Sequence, residues 1–132
     1  KLGVKYFCFT GENNIMDKLY EDTLLLDFYG QLLTERQFEI MDMHFNNDYS
    51  LGEIAEQLNI SRQGVYDNIK RGKALLKRME EKLGLVEKFV KQKNKAQEIL
   101  INIKSLSKNG ICEEDIITLK RIEEGIIQII EG

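Results

Sequence analysis

Residues 51–70 read LGEIAEQLNISRQGVYDNIK, and their apolar residues have the spacing of two short helices joined by a tight turn. The apolar anchors on the two sides of this turn are Ile54, Leu58, Ile60, Val65 and Ile69. Ala55 is small enough for two helix backbones to approach each other, and Asn59 tolerates the positive φ that such a turn requires. The stretch therefore predicts a helix-turn-helix.

Helix-capping signals mark where the short helices of this region begin. Thr34 with Gln37, and Ser50 with Glu53, have the spacing of capping boxes, in which side chain and backbone cap each other reciprocally. Ser61 is a further N-cap residue at the start of the second helix of the motif. These signals predict three helices that begin directly after residues 34, 50 and 61.

The rest of the chain also has helical periodicity. A first helix is predicted over residues 17–32, with Gly30 as a weak point near its end. Beyond Gly84 the apolar residues follow a long amphipathic helix, which ends at a turn over residues 107–110. A last helix is predicted from Glu113, in an acidic stretch that complements the helix dipole.

The composition of the 132 residues favours an all-α fold. The chain contains no Pro and no Trp, is 42% hydrophobic and 31% charged, and is rich in Leu, Ile, Glu and Lys. We expect a helix-turn-helix domain in residues 16–84, and in residues 85–132 a helical region whose apolar surface packs on that domain, with the remainder of this surface available for a dimer. Residues 1–15 are aromatic and β-like, and we expect either a non-native or disordered extension before Met16, or an ordered arm or edge strand.

The charge is unevenly distributed along the chain. The formal net charge is −3, but residues 1–60 contain 4 basic and 11 acidic residues, whereas residues 61–82 contain 7 basic and 3 acidic ones. A short basic segment in an acidic chain concentrates the attraction for phosphate on one helix. A solvated helix face with intrahelical ion pairs is the alternative interpretation of the same run.

The second helix of the motif carries the residues that we expect to contact bases. Opposite the apolar positions stand Arg62, Gln63, Tyr66, Asp67 and Lys70. In a major groove, Arg62 donates two hydrogen bonds to guanine, Gln63 donates one to adenine and accepts one from it, and Tyr66 contacts a thymine methyl group or a phosphate. Asp67 has two alternative roles, as an acceptor from cytosine or as an ion-pair partner of Arg71.

Other residues of the same helix are predicted to hold the DNA backbone. Ser61 and the helix N-terminus are placed to bind a phosphate. Electrostatic attachment is assigned to Lys70, Arg71, Lys73, Lys77 and Arg78. Gly64 costs this helix about 1 kcal/mol relative to Ala and has no evident base contact.

The sequence gives no positive indication of an enzyme, a cofactor or a metal site. His44 stands alone and is interpreted as a surface or capping residue, and Asp17, Glu21 and Asp22 as the acidic start of a helix. Cys8 and Cys112 lack the spacing of a zinc site, so we expect reduced thiols in a cytoplasmic protein. No apolar run reaches the length of about 20 residues that a bilayer-spanning helix needs.

The segments LLTERQ, residues 32–37, and NDYSLGEIAEQLNISRQGVYDNIKR, residues 47–71, are similar to the YlxM family of small bacterial helix-turn-helix proteins. The genes of that family accompany those of the signal recognition particle. The same region resembles region four of the primary sigma factors, which reads a promoter element. The resemblance implies a winged-less helix-turn-helix that binds nucleic acid, regulates transcription, and is connected with the signal recognition particle pathway.

Three functions remain open at this point. The first is binding of duplex DNA by a regulator, and the Ile-rich helices after residue 86 offer an apolar surface for a two-fold dimer. The second is association with RNA or a component of the signal recognition particle through the same basic helix. The third is a protein-interaction module that uses the Ile-rich tail.

Overall fold

A computed structural model describes the secondary structure of residues 15–132 and the side chains from Lys18 onward. The described residues form six α-helices and one 3-10 turn, without a strand, which confirms the all-α prediction. The elements in chain order are α1 (Ile15–Tyr29), a 3-10 turn (Gly30–Leu32), α2 (Glu35–Phe45), α3 (Leu51–Leu58), α4 (Arg62–Leu83), α5 (Leu85–Ser105) and α6 (Glu113–Glu131). The extension predicted before Met16 lies, except for Ile15, outside the described residues.

The predicted caps are present at the helix ends. Thr34 and Ser50 each form a complete capping box with the residue three positions on, and the Ser61 hydroxyl accepts from the Gly64 N–H at 2.9 Å. Asn59 ends α3 with φ 52° and ψ 48°, and Gly84 ends α4 with φ 61°. Local side-chain hydrogen bonds and two left-handed residues therefore set the boundaries of these helices.

The chain divides into two compact units, and α1 to α4 belong to the first, which ends at Glu87. Its buried side chains are Leu24, Leu25, Leu26, Tyr29, Leu33, Ile40, Met41, Phe45, Ile54, Ala55, Val65, Ile69, Leu76 and Val86. Helices α2, α3 and α4 each contribute one apolar face to this core, whereas α1 buries three consecutive leucines, Leu24, Leu25 and Leu26, and so is enclosed on more than one side. The core holds the helix-turn-helix against α1 and α2.

Two glycines of the first unit lie where helices approach closely. A Cβ atom on Gly72 of α4 would collide with the Met41 Sδ atom of α2. On Gly30 it would lie 2.9 Å from Cε2 of Phe38, which is too close for a carbon contact. The α-helix gives way to the 3-10 turn at Gly30, the weak point that the sequence predicts near its end, and Gly30 is buried there because its lack of a side chain lets Phe38 pack closely.

A carboxylate of α4 caps the first turn of α5. Glu80 accepts hydrogen bonds from the Tyr29 hydroxyl at 2.5 Å, from the Val86 N–H at 3.1 Å and from the Glu87 N–H at 2.9 Å. Burial raises the pKa of Glu80, but these hydrogen bonds outweigh burial, and the pKa is lowered overall. The chain therefore passes from α4 to α5 through a hydrogen-bonded corner at Gly84.

The second unit comprises Lys88–Gly132, with most of α5 and all of α6. Ala96, Leu100 and Ile126 form its buried cluster, and Ile103, Ile127 and Ile130 pack partly buried against them. Other large apolar side chains stay exposed, and these are Ile99, Ile101, Leu106, Ile117, Ile122 and Ile129. The predicted packing of this region on the helix-turn-helix stays a prediction.

None of the helices from residue 15 onward combines the length and the apolar character needed to cross a membrane.

Candidate nucleic-acid interface

The turn between α3 and α4 is closed by backbone hydrogen bonds. Asn59 and Ile60 both donate to the Ala55 carbonyl, the latter at 3.0 Å, and this is the pattern of a helix that ends at a left-handed residue. The Arg36 guanidinium donates to the Leu58 carbonyl at 3.1 Å and satisfies one more free acceptor. The predicted helix-turn-helix is therefore present, with Ala55 buried at the approach of the two helices.

The first half of α4 has one buried and one exposed side. Val65 is fully buried and Ile69 is 8% exposed, so both point into the core. The predicted site residues with exposed side chains are Ser61, Arg62, Gln63, Tyr66, Lys70, Arg71 and Lys77, whereas Asp67 and Lys73 are half-buried. The helix thus presents most of the predicted base-contacting and phosphate-contacting residues to the outside.

The N-terminus of α4 is held by Ser61 while its first amides stay available. The Ser61 hydroxyl accepts from Gly64, and the Ser61 carbonyl accepts from the Val65 N–H at 3.1 Å. The N–H groups of Arg62 and Gln63 have no intrahelical acceptor in a first turn, and the helix dipole makes this end attractive to anions. A Cβ atom on Gly64 would lie only 3.1 Å from the Ser61 hydroxyl oxygen, so glycine leaves room for the cap.

Asp67 is the partner of Gln63. Its Oδ1 atom accepts from Gln63 Nε2 at 3.1 Å, one helical turn earlier. The sequence also proposed an ion pair of Asp67 with Arg71, and that ion pair is not formed among the described residues, because the carboxylate is turned toward the N-terminus of the helix. Asp67 therefore orients the carboxamide of Gln63, and the spacing of four residues is a signal from which sequence reasoning could have found this pair.

Lys73 has a structural partner. Its ammonium lies 2.6 Å from Asp22 Oδ2 of α1, and Asp22 is 5% exposed. The same ammonium is 5.6 Å from the ring centroid of Phe45. The sequence groups Lys73 with the phosphate-binding residues; in the structure its ammonium is paired with Asp22 inside the first unit, whereas Lys70 and Lys77 keep exposed side chains.

A shallow groove of about 400 Å³ runs along α4. Tyr66 stands at one end of it, Ile69 and Ala74 form an apolar floor, and Lys70 and Lys77 supply exposed ammonium groups on its rim. Tyr66 is 49% exposed, so its ring and hydroxyl are accessible to a ligand. The ammonium groups of Lys70 and Lys77 attract phosphates to this side of α4.

Comparison with known proteins places this helix-turn-helix in a family. A family model described as "Putative helix-turn-helix protein, YlxM / p13 like" matches residues 16–117. The chain belongs to the UPF0122 family. A UPF0122 protein of Acetivibrio thermocellus is 70% identical over 117 residues, which are 89% of this chain and all of that protein. The UPF0122 protein YlxM of Bacillus subtilis is 43% identical over 104 residues, which are 79% of this chain and 91% of that protein.

Membership of UPF0122 confirms the resemblance inferred from residues 32–37 and 47–71. The family is described by a helix-turn-helix and not by a chemical reaction. Because this motif is a nucleic-acid-binding motif, membership indicates nucleic-acid binding.

Proposed function

We propose that this UPF0122 protein binds duplex DNA and that the N-terminal half of α4 enters the major groove. The observation that carries the proposal is the division of α4 into a buried face at Val65 and Ile69 and an exposed face that begins at its N-terminus. In helix-turn-helix proteins the second helix reads base edges with its N-terminal residues. The basic charge of residues 61–82 adds the attraction for phosphates.

Base recognition is assigned to the first turns of α4. Arg62 has the two parallel donors that fit the O6 and N7 atoms of guanine. Gln63 reads adenine, and its hydrogen bond to Asp67 fixes the carboxamide before DNA arrives. Tyr66 is exposed one turn later and contacts a thymine methyl group or the sugar–phosphate backbone.

Backbone binding is assigned to groups around this reading face. Ser61 and the free amides of the first turn bind one phosphate. Lys70 and Lys77 on the rim of the groove described above, and the exposed Arg71 and Arg78 outside it, bind others. Lys73 is left out of this set because Asp22 already neutralises it.

The experiment is selection of binding sequences from a randomised duplex, with the protein and its Arg62→Ala variant. Under our proposal Arg62→Ala weakens binding and relaxes the preference at one base pair, with a loss of about 1–3 kcal/mol at the preferred site. Arg121→Ala, on the exposed face of α6, is the matched control and leaves the selected sequence unchanged. If Arg62→Ala retains the full preference, α4 does not read the bases through this residue.

RNA binding by the same helix is the alternative. The major groove of A-form RNA is too deep and narrow for side chains to read, so binding there depends on phosphates and shape. Arg62→Ala would then lower affinity without changing any sequence preference.

Three finer statements belong to this proposal. Regulation of transcription and a connection with the signal recognition particle rest on the resemblance to the YlxM family, and both imply a cytoplasmic location.

A homodimer rests on the two-fold binding usual for helix-turn-helix proteins and on exposed isoleucines such as Ile117 and Ile129. Sedimentation equilibrium of the full chain tests the dimer, and Ile129→Lys should shift it toward monomer.

A further inference from the structure

A second groove of the first unit lies between α2, α3 and the loop that joins them. It has a volume of about 640 Å³, within the range of about 300–1,000 Å³ that is usual for binding pockets. Phe38, Met43, Tyr49 and Leu58 supply its apolar surface. It shares no lining residue with the lysine-rimmed groove of α4.

Two of these apolar side chains are large and open to solvent. Phe38, in the first half of α2, is 42% exposed, and Tyr49, directly before the N-cap residue of α3, is 37% exposed. Neighbouring exposed aromatic side chains in a concave surface are typical of protein contact sites.

The loop that forms one wall is held in place by hydrogen bonds. The Tyr49 N–H donates to the Met43 carbonyl at 3.0 Å, and the Tyr49 carbonyl lies 2.9 Å from Nδ1 of His44. The Asn47 backbone N–H donates to the Asp42 carbonyl at 3.2 Å, and the Asn47 side-chain amide donates to the same carbonyl at 3.1 Å. Because the backbone is fixed on both sides of Asp48, the groove exists before a partner binds, and binding does not have to order this loop.

The charge around the groove is negative. Glu39 and Asp42 line it, and no Lys or Arg does. Residues 34–60 contain six carboxylates and one arginine, Arg36, which is paired with Glu39 at 3.0 Å. A nucleic acid is repelled by such a surface, whereas a cationic protein segment is attracted to it.

We propose that this acidic aromatic groove binds a basic amphipathic segment of another protein, with large apolar side chains between Phe38 and Tyr49 and with Lys or Arg beside Glu39 and Asp42. The groove would let one domain hold nucleic acid on α4 and a protein partner on α2 and α3. This inference does not depend on DNA binding, because it rests on different residues.

The test uses two synthetic peptides of about 16 residues with the same helical spacing of Leu and Phe, one with Lys and one with Glu at the intervening positions. Binding to the full chain is measured by fluorescence anisotropy at about 150 mM salt, where surface charges further apart than about 8 Å are screened. We expect the Lys peptide to bind and the Glu peptide to bind at least about tenfold more weakly.

Two variants locate the binding. Gln57 lines the groove, is exposed and makes no side-chain hydrogen bond among the described residues, so Gln57→Lys adds a cation there without disturbing the fold. Gln57→Lys should lower the affinity for the Lys peptide about tenfold, and Tyr49→Ala should lower it about fivefold. Gln128→Lys makes the same change of charge on α6 and should alter affinity less than about twofold, given the screening.

The outcomes separate this inference from the proposed function. A Lys peptide that binds the chain and is weakened only by Gln57→Lys and Tyr49→Ala supports the groove, whether or not DNA binds. Equal weakening by Gln57→Lys and Gln128→Lys, equal affinity of the two peptides, or absence of peptide binding overturns it. Gln57→Lys should leave the affinity for DNA undiminished, and loss of DNA binding in this variant would contradict the separation of the two surfaces.

Discussion

The carboxylate of Asp22 in α1 lies 2.6 Å from the ammonium of Lys73 in α4, and only 5% of Asp22 is exposed. The Lys73 side chain keeps 27% of its surface exposed, so the pair lies at the edge of the core. It fixes the lengthwise position of α4 on α1, and with it the placement of the residues that we expect to contact DNA. Lys73 thus helps to hold α4 in place, while the side chains of Lys70 and Lys77 stay exposed.

Removal of this carboxylate should destabilise the first unit. Asp22→Asn leaves a partly buried ammonium without its counter-charge, and we expect a loss of about 1–3 kcal/mol, below the value for a fully buried pair. Urea unfolding followed by circular dichroism measures the loss. Glu21→Gln, its exposed neighbour on α1, is the control and should change stability by less than about 0.5 kcal/mol. Equal stability of Asp22→Asn and Glu21→Gln would mean that the Asp22–Lys73 ion pair contributes nothing to the free energy of unfolding.

The contact of α4 with α2 should not accept a methyl group at Gly72. Gly72→Ala brings Cβ into the Met41 Sδ atom, and we expect destabilisation by about 1–3 kcal/mol although alanine favours helices. Gly125→Ala in α6 meets no atom within 4 Å and should be neutral or stabilising by up to about 1 kcal/mol. Thermal unfolding of both variants distinguishes packing from helix propensity, and a stabilised Gly72→Ala would contradict the close approach of the helices.

Acid should weaken the corner between α4 and α5 through Glu80. Because the pKa of Glu80 in the folded chain lies below its ordinary value of 4.5, its ionised form stabilises the fold above that value. This contribution is lost as the pH falls through the lowered pKa. Glu80→Gln should be less stable at neutral pH by about 1–3 kcal/mol, since an amide replaces a carboxylate that accepts three hydrogen bonds.

The pH dependence of Glu80→Gln gives the more specific result. Its loss of stability between about pH 5 and pH 3 should be smaller than that of the unaltered chain. Glu81→Gln, an exposed neighbour, should keep the full pH dependence. Identical acid curves for the unaltered chain and Glu80→Gln would show that this carboxylate is not stabilised in its ionised form.

Loss of Asp67 should raise the affinity for DNA of any sequence but lower the discrimination between base pairs. Asp67→Ala removes a negative charge from the basic helix, so binding to a random duplex should strengthen by about twofold to fivefold. It also releases Gln63, so discrimination among duplexes that differ at one base pair should fall by about 1 kcal/mol. Glu124→Ala removes a charge from α6 and should leave the discrimination unchanged. If Asp67→Ala discriminates between these duplexes as well as the unaltered chain does, Asp67 does not position Gln63 for base recognition.

Much of the fold was predictable from local signals. Thr34, Ser50 and Ser61 mark helix starts because the hydroxyl of each accepts a hydrogen bond from a backbone N–H of the first turn, a contact that depends only on nearby residues. Asn59 and Gly84 mark helix ends because left-handed backbone favours these residue types. The exposed side of α4 also followed from sequence, since burial of Val65 and Ile69 determines which residues of the helix face outward.

The contacts that the sequence did not predict join residues that are distant along the chain. Tyr29 and Glu80 are 51 positions apart, and so are Asp22 and Lys73. Lys73 follows the buried Ile69 by one helical turn, so the periodicity places it nearer the buried face than Lys70 or Lys77, but it does not identify a partner. The partner itself, Asp22, reaches Lys73 only when α1 packs on α4, so the sequence could not show that this lysine of the predicted phosphate-binding set is paired.

The most direct test of DNA binding through α4 is fluorescence anisotropy of the full chain with a randomised duplex over a series of salt concentrations, beside Lys70→Ala/Arg71→Ala and the control Lys104→Ala/Lys108→Ala. We predict that the affinity falls steeply with salt and that only the α4 double variant reduces the slope of log K against log salt, by about two. Absence of binding at low salt, or equal slopes for both double variants, would contradict the assignment of α4 as the DNA-binding helix.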